Sequence, residues 1–289
     1  MDNLDPAARI SAPPRTDGDR APMTINQKPV FVFSSSWRSG STLVQRYITA
    51  SGEVLVWGET GGALNALCDA LAGWEQITAE SSRRFPDSLG GGGEKAYRKF
   101  IETPRPEQAQ QWIANLTPPY EEIVEHTRSL LNELYAKRAH ALGYPRFGIK
   151  ETRCDLATAQ RLQAVFPDAK FVFLVRNPLE VMLSIKRRNW MGRPAGHATL
   201  HYYAEHWRVR SQQFRQAGFG MALRYEDFIH DPALQARMMD YLAIGSRPAA
   251  DFIQTSKADW KAFNQSQLSP WEQARLRYWL ADEMRQWGY

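Results

Sequence analysis

The chain has 289 residues, of which 43% are hydrophobic and 23% are charged. This composition is typical of a globular protein and excludes a largely disordered or collagen-like chain. Lys and Arg number 36 against 31 Asp and Glu, and the resulting net charge of +5 is too mild to indicate nucleic-acid binding by itself. The two cysteines, Cys68 and Cys154, are too few for a disulfide framework or a four-cysteine zinc site, and they favour a cytoplasmic location.

The beginning of the chain differs in composition from the rest. Residues 1–28 contain four prolines and no apolar run long enough for a signal sequence. We therefore expect a disordered tail over 1–28 and one folded domain over 29–289. The sequence nowhere holds the ~18 consecutive apolar residues of a transmembrane helix, so we expect no membrane span.

Short apolar runs alternate with helical patterns from residue 29 onward. The apolar runs predict strands over 30–33, 54–57, 147–150, 170–175 and 221–224. The helical patterns predict helices over 42–50, 63–72, 107–114, 121–142, 156–166, 179–189, 200–217, 234–243 and 270–287. This alternation indicates the α/β class, as a single P-loop-like domain with a mainly parallel central sheet flanked by helices. The four glycines at 90–93 predict a flexible connection or lid.

The loop after the first strand, residues 34–42, is rich in serine and contains Arg38. Its small residues let backbone N–H groups approach an oxyanion, and the following helix N-terminus favours negative charge. Arg38 supplies a planar, charged fork for phosphate or sulfate. Aligning Gly40 with the second glycine of the Walker A pattern puts Ser41 where the lysine should stand. The loop is therefore phosphate-loop-like without that lysine; the alternative is an ordinary serine-rich turn with an exposed arginine.

The fourth strand ends in a cation, Arg176, where a nucleoside triphosphatase often has a magnesium-binding aspartate. Residues 170–193 hold six basic residues and one acidic residue. Ser184 follows Arg176 by eight positions, and Arg188 lies on the same helix face as Ser184. The pattern predicts a second, separate anion site without a metal, which fits a nucleoside with both 3′- and 5′-groups better than ATP-Mg. The alternative is a solvated basic helix face.

Together these segments resemble the sulfotransferases that use 3′-phosphoadenosine-5′-phosphosulfate (PAPS). Residues 38–42, Arg-Ser-Gly-Ser-Thr, resemble the family's 5′-phosphosulfate loop. Residues 174–178, Leu-Val-Arg-Asn-Pro, with Ser184 beyond them, resemble its 3′-phosphate site. Residues 224–227, Arg-Tyr-Glu-Asp, resemble its Tyr-Glu-Asp element. The resemblance is to the bacterial type, with features of the tyrosylprotein branch, and identifies 29–289 as the sulfotransferase domain.

The resemblance implies which residues bind PAPS. Those expected to hold the 5′-phosphate and the sulfuryl group are Arg38, Ser39, Gly40, Ser41 and Thr42. Those expected to hold the 3′-phosphate and the adenine are Arg176, Ser184 and Arg188, and Tyr225. No metal is implied, because fixed cations take its place.

The resemblance also implies catalytic residues. Glu59, in Gly-Glu-Thr, stands where the tyrosylprotein branch has its general base, and Lys150 stands where that branch has a lysine assisting the leaving group. Arg38 would stabilise the transition state. The alternatives are that Glu59 is an acid in the first turn of a helix, and that Lys150 forms a structural ion pair with Glu151 or another acid.

Two departures from the cytosolic branch bear on the site. Residues 253–255, Ile-Gln-Thr, replace its Arg-Lys-Gly element, for which Lys257 or Lys261 could substitute. No histidine aligns with its catalytic histidine. His197 and His201 have a spacing that permits zinc, but without a metalloprotease glutamate a partly exposed helix face explains them.

The expected function is in-line transfer of the sulfuryl group from PAPS to a hydroxyl or amine of an unidentified acceptor. A peptide tyrosine, a saccharide, a lipid and a small phenolic metabolite all remain open as acceptors. The alternatives are a P-loop kinase or phosphotransferase, a nucleic-acid-binding protein that uses the basic segment 170–193, and an inactive family member that only binds the nucleotide. The concentration of charge at strand ends, inside a predicted crevice, argues against nucleic acid as a partner.

Overall fold

The computed structural model describes residues 28–84, 101–102, 117–188, 197–254 and 266–289. Its centre is a sheet of five parallel strands in the order β2-β3-β1-β4-β5. The strands are β1 (Val30–Ser34), β2 (Val54–Trp57), β3 (Arg146–Glu151), β4 (Lys170–Val175) and β5 (Met221–Arg224). The predicted α/β class and parallel sheet are confirmed, and β1 is the central strand.

Helices cover both faces of this sheet. They are α1 (Ser41–Thr49), α2 (Ala63–Arg84), α3 (Tyr120–Leu131), α4 (Lys137–Ala141), α5 (Leu156–Val165), α6 (Pro178–Arg187), α7 (His197–Arg215), α8 (Tyr225–His230), α9 (Pro232–Tyr241) and α10 (Pro270–Gln286). Within the described ranges, none of the helices combines the length and the apolar character needed to cross a bilayer.

The apolar runs of the strands are buried on both faces, as parallel sheets require. Successive side chains point to opposite faces, so Phe31 and Phe33 enter a core packed by α2, α3, α5, α6, α7 and α10. Val30 and Val32 enter a second core packed by α1, α8 and α9. The two cores fix β1, and therefore the loop that follows it, from both sides.

Two helical predictions differ from the structure, and one helix of the structure was not predicted. The helix predicted over 63–72 continues through Gly73 to Arg84, although an internal glycine costs a helix about 1 kcal/mol. The helix predicted over 121–142 is interrupted by a π-helical turn, Asn132–Ala136. The short helix α8 was not predicted. The predicted tail, the helix over 107–114 and the glycines at 90–93 lie outside the described residues.

Replacing each of two glycines by alanine is expected to change the free energy of unfolding in opposite directions. A Cβ at Gly148, in the inner strand β3, would lie 2.6 Å from the Val30 carbonyl oxygen, so Gly148→Ala is expected to lower the free energy of unfolding by about 1–3 kcal/mol. A Cβ at Gly73, inside α2, would meet nothing within 4 Å, so Gly73→Ala is expected to raise it by about 0.5–1 kcal/mol. Urea unfolding measures both, and an unchanged midpoint for Gly148→Ala would contradict the tight packing of β3 against β1.

Candidate active site

The loop between β1 and α1 lies at the middle of the sheet's carboxyl edge. Arg38 adopts a positive φ of 62°, a backbone conformation that costs energy in a non-glycine residue and is concentrated at functional sites. The Arg38 Nε donates a hydrogen bond to the Ser184 hydroxyl, 3.1 Å away on α6. The hydroxyls of Ser35, Ser36 and Ser39 are buried, and no described residue partners them. An oxyanion site would contain such buried hydroxyl donors, because a bound anion would accept their hydrogen bonds.

Three arginines meet beside this loop. The Arg176 Nη1 donates to the Arg38 carbonyl oxygen at 3.1 Å, which ties the end of β4 to the loop. Burial, together with the charges of Arg188 and Arg176, lowers the pKa of the Arg38 guanidinium. The residues predicted for the two anion sites are therefore in contact with one another. A nearby acid, Glu180, lies 3.6 Å from Arg176 and is 56% exposed, so the cluster keeps an excess of positive charge.

Tyr225 joins the third predicted motif to the same loop. Its ring lies so close to Gly40 that a Cβ there would stand 2.1 Å from the Tyr225 Cε2 atom. Gly40 also has a φ of 87°, so both the close approach and the backbone conformation require glycine. The Arg176 guanidinium lies 4.7 Å from the centre of the Tyr225 ring. The fold thus brings the predicted residues on three strand ends into one cluster.

The position of Arg176 depends on contacts that the sequence did not reveal. The Trp207 Nε1 on α7 donates to the Arg176 carbonyl oxygen at 2.9 Å. The Glu226 carboxylate accepts the Asn177 N–H and the Tyr289 hydroxyl, each at 2.9 Å. These contacts join residues that are far apart in the chain, and no local pattern signals them. Trp207 is itself fully buried.

Glu59 and Lys150 form an ion pair at the neighbouring strand ends. The Lys150 Nζ lies 2.6 Å from the Glu59 Oε1. The Lys150 side chain is 6% exposed, whereas that of Glu59 is 38% exposed, so solvent reaches the carboxylate. The helix after Glu59 starts only at Ala63, and Lys150 pairs with Glu59 rather than with Glu151. Glu59 is therefore not in the first turn of a helix, whereas Lys150 does form the ion pair with another acid that its alternative names, and that acid is Glu59.

Aromatic residues of α7 surround Trp37 in the same loop. The Trp37 ring lies 4.7 Å from His206, 5.6 Å from Tyr203 and 6.5 Å from Tyr202, between ring centres. Burial lowers the pKa of His206. Tyr202 is exposed, at 58%. The sequence did not predict this packing of α7 side chains onto the loop.

Some predicted positions lie beyond the described residues. Lys257 and Lys261, the candidate substitutes for the Arg-Lys-Gly element, are among them, as is Thr255. Within the described ranges, no group of three or more His, Cys, Asp and Glu side chains has an arrangement that could hold a metal ion.

Comparisons with known proteins were made on both sequence and structure. A family model described as the sulfotransferase family matches residues 29–243. The sulfotransferase domain of the olefin synthase from Synechococcus PCC 7002 is 18% identical, covering 94% of this chain and 99% of that chain, with a TM-score of 0.48. A sulfotransferase from Alicyclobacillus acidocaldarius is 15% identical, covering 90% and 94%, with a TM-score of 0.45.

Retinol dehydratase in complex with androsterone and the inactive cofactor PAP is 16% identical, covering 91% of this chain and 82% of that chain, with a TM-score of 0.40. A comparison with curated proteins found no match.

The family match spans the whole candidate site. It covers more than half of the chain and includes the loop 38–42, Glu59, Lys150, Arg176 and Tyr225. The same residues converge at the carboxyl edge of the sheet, where ligands of open α/β folds bind. The chain therefore belongs to the sulfotransferase family.

Proposed function

We propose that this protein transfers the sulfuryl group of PAPS to a hydroxyl or amine by in-line displacement. The observation that carries the proposal is the convergence of Arg38, Ser184, Arg176 and Tyr225 on one loop. Burial, together with the charges of Arg188 and Arg176, lowers the pKa of Arg38, so a bound polyanion would stabilise this cluster. The unpartnered buried hydroxyl of Ser39 adds a donor at the same place.

The binding roles are those that the family resemblance implies, and the positions of the side chains support them. The loop residues Arg38, Ser39, Gly40, Ser41 and Thr42 would hold the 5′-phosphate and sulfuryl group through backbone N–H groups, hydroxyls and the Arg38 fork. The residues Arg176, Ser184 and Arg188 would hold the 3′-phosphate. Tyr225 would contact the adenine with the part of its ring that Gly40 and Arg176 leave open. When bound, PAPS supplies the sulfuryl group that is transferred.

Glu59 would accept a proton during the reaction, and Lys150 would stabilise negative charge. Glu59 is exposed enough to reach an acceptor and would take the proton of its hydroxyl or amine. Once protonated, Glu59 no longer pairs with the Lys150 ammonium, which is then free to stabilise charge on the departing oxygen. Arg38 and the loop N–H groups would stabilise charge that develops in the transition state.

The rival functions have less support. A P-loop kinase needs a lysine at position 41, where the chain has serine. A nucleic-acid-binding role needs the basic side chains of α6 to form a free patch. Instead, Lys186 forms an ion pair of 2.7 Å with Glu272 on α10, and the Arg187 Nε donates to the Ser266 carbonyl oxygen. Both basic side chains are thus engaged within the protein.

The proposed acceptors are phenols, saccharides, lipids and peptide tyrosines. We propose a cytoplasmic location because Cys68 and Cys154 are both buried as free thiols, which suits a reducing compartment.

The nucleotide site is tested by calorimetry with adenosine 3′,5′-bisphosphate in the absence of Mg²⁺. We expect the bisphosphate to bind and ATP-Mg to bind more weakly. Arg176→Ala should weaken binding about 10- to 100-fold, because a hydrogen bond to a charged group contributes about 1.5–3 kcal/mol. Arg285→Ala, which removes a 75% exposed arginine paired with Asp282, is the matched control. A preference for ATP-Mg, or no binding of the bisphosphate, would overturn the proposal.

A further inference from the structure

Glu151, the last residue of β3, is a buried carboxylate held by hydrogen bonds. It is 0% exposed. One oxygen accepts the Thr60 N–H at 2.9 Å and the Thr60 hydroxyl at 2.8 Å. The other oxygen accepts the Thr152 N–H at 2.9 Å. No described lysine, arginine or histidine forms an ion pair with it, so these donors must offset the cost of burying its charge.

The segment that Glu151 holds is not held by the sheet. The last paired residues of β2 and β3 are Trp57 and Ile149, so residues 58–60 run beside the end of β3 without belonging to a strand. Adjacent residues of β3 point to opposite faces. Lys150 therefore reaches Glu59, while Glu151 reaches Thr60.

A third contact completes the attachment. The Arg153 Nη1 donates to the Gly61 carbonyl oxygen at 3.1 Å, and Gly61 and Gly62 both have positive φ angles that turn the chain into α2. Residues 59, 60 and 61 are thus each held by a different side chain, the first two from the end of β3 and the third from Arg153, two residues beyond it. The contact through Glu151 lies immediately beside Glu59, and its carboxylate is fully buried.

We propose that Glu151 is a positioning residue for the reaction, because it fixes Thr60 and through it the carboxylate of Glu59. This inference rests on the proposed role of Glu59 as the base. The ion pair with Lys150 cannot by itself hold Glu59 during turnover, since it weakens when Glu59 takes a proton. The hydrogen bonds between Glu151 and Thr60 do not depend on the charge of Glu59, so they keep it in place in both protonation states.

Thr60 is less buried than Glu151, its hydrogen-bond partner, so we test this inference first with Thr60→Val and Thr60→Ser. Valine removes the hydroxyl that donates to Glu151, and serine keeps it. The assay is sulfuryl transfer from PAPS to whichever acceptor turns over fastest in a panel of phenols, saccharides and tyrosine peptides. We expect Thr60→Val to lower kcat about 10- to 100-fold, the scale of a small misplacement of a catalytic group. The KM for PAPS should change less than about twofold, and Thr60→Ser should retain most of kcat.

Glu151→Gln tests the same contact from the other side. An amide accepts hydrogen bonds through one oxygen only, so at least one donor loses its partner. We expect a loss of kcat like that of Thr60→Val, and the double variant should lose no more than the worse single variant. The Thr60 hydroxyl also accepts the Leu64 N–H at 3.2 Å, and Thr60→Val removes that contact too. Because Glu151→Gln leaves the Leu64 contact in place, a double variant no worse than the single variants assigns the loss of kcat to the contact between Thr60 and Glu151. Glu283→Gln, at a buried carboxylate paired with Arg215, is the control for a general loss of stability.

Hydrogen exchange gives a readout that does not depend on activity. We expect amide exchange over residues 59–62 to become about tenfold faster in Thr60→Val and to stay unchanged in Glu283→Gln. Unchanged exchange, or full kcat in both Thr60→Val and Glu151→Gln, would overturn the inference. Full turnover of Glu59→Gln would instead refute Glu59 as the base, and the exchange rates would still decide whether Glu151 fixes this segment.

Discussion

Replacing Glu59 by glutamine is expected to lower kcat by about 10²- to 10⁴-fold, the usual contribution of a general base. Glutamine keeps the shape of the side chain but cannot accept the acceptor's proton. It also removes the charge that holds the Lys150 Nζ at 2.6 Å. Binding of adenosine 3′,5′-bisphosphate should stay within about twofold of wild type, because Glu59 lies at the β2 end and outside the arginine cluster.

The measurement is initial-rate kinetics, with calorimetry on the same preparation to show that the nucleotide site is intact. Glu205→Gln is the control, since Glu205 forms an exposed ion pair with Arg208 within α7 and should leave kcat unchanged. If Glu59→Gln kept near-wild-type turnover, another group would have to remove the proton. Loss of nucleotide binding in this variant would instead mean that Glu59 supports the cofactor site.

Arg38→Ala is expected to weaken the binding of adenosine 3′,5′-bisphosphate about 10- to 100-fold and to lower kcat about 10²- to 10³-fold. The first figure follows from the loss of a charged hydrogen-bond donor, worth about 1.5–3 kcal/mol. The second is the usual cost of removing one donor to the charge that develops in a transition state. Arg38→Lys should recover only part of either loss, because lysine keeps the charge but not the planar fork.

The same variant should not be less stable than wild type. Burial beside two other arginines disfavours the charged form of Arg38 and lowers its pKa, whereas its positive φ of 62° strains an alanine as well and does not change the comparison. Removing the side chain relieves the repulsion, so the unfolding midpoint without ligand should be equal or higher. Thermal unfolding with and without the bisphosphate separates the two effects. A variant that unfolds at a clearly lower temperature without ligand would show that Arg38 stabilises the fold rather than the bound anion.

The sequence alone determined the class of the fold and the first members of the site. The runs at 30–33 and 170–175 are short and rich in valine and phenylalanine, which favours buried strands, and parallel strands bring their carboxyl ends to one edge. That is why Arg38 and Arg176, which follow two of these strands, could be predicted to bind anions. The sequence places Gly40 in the loop. It does not show that a glycine is required there because the ring of Tyr225 lies beside it.

Only the tertiary structure decided how these residues face one another. The pairing of Glu59 with Lys150, the attachment of Thr60 to Glu151 and the hydrogen bond from Arg38 to Ser184 each join residues that lie about 90 to 150 positions apart. Local patterns carry no information on such contacts, because they depend on strand order and register. β3 lies between β2 and β1 and extends two residues beyond its last pairing with β2. Because of that offset, Lys150 lies next to Glu59. No periodic pattern in the sequence predicts the offset.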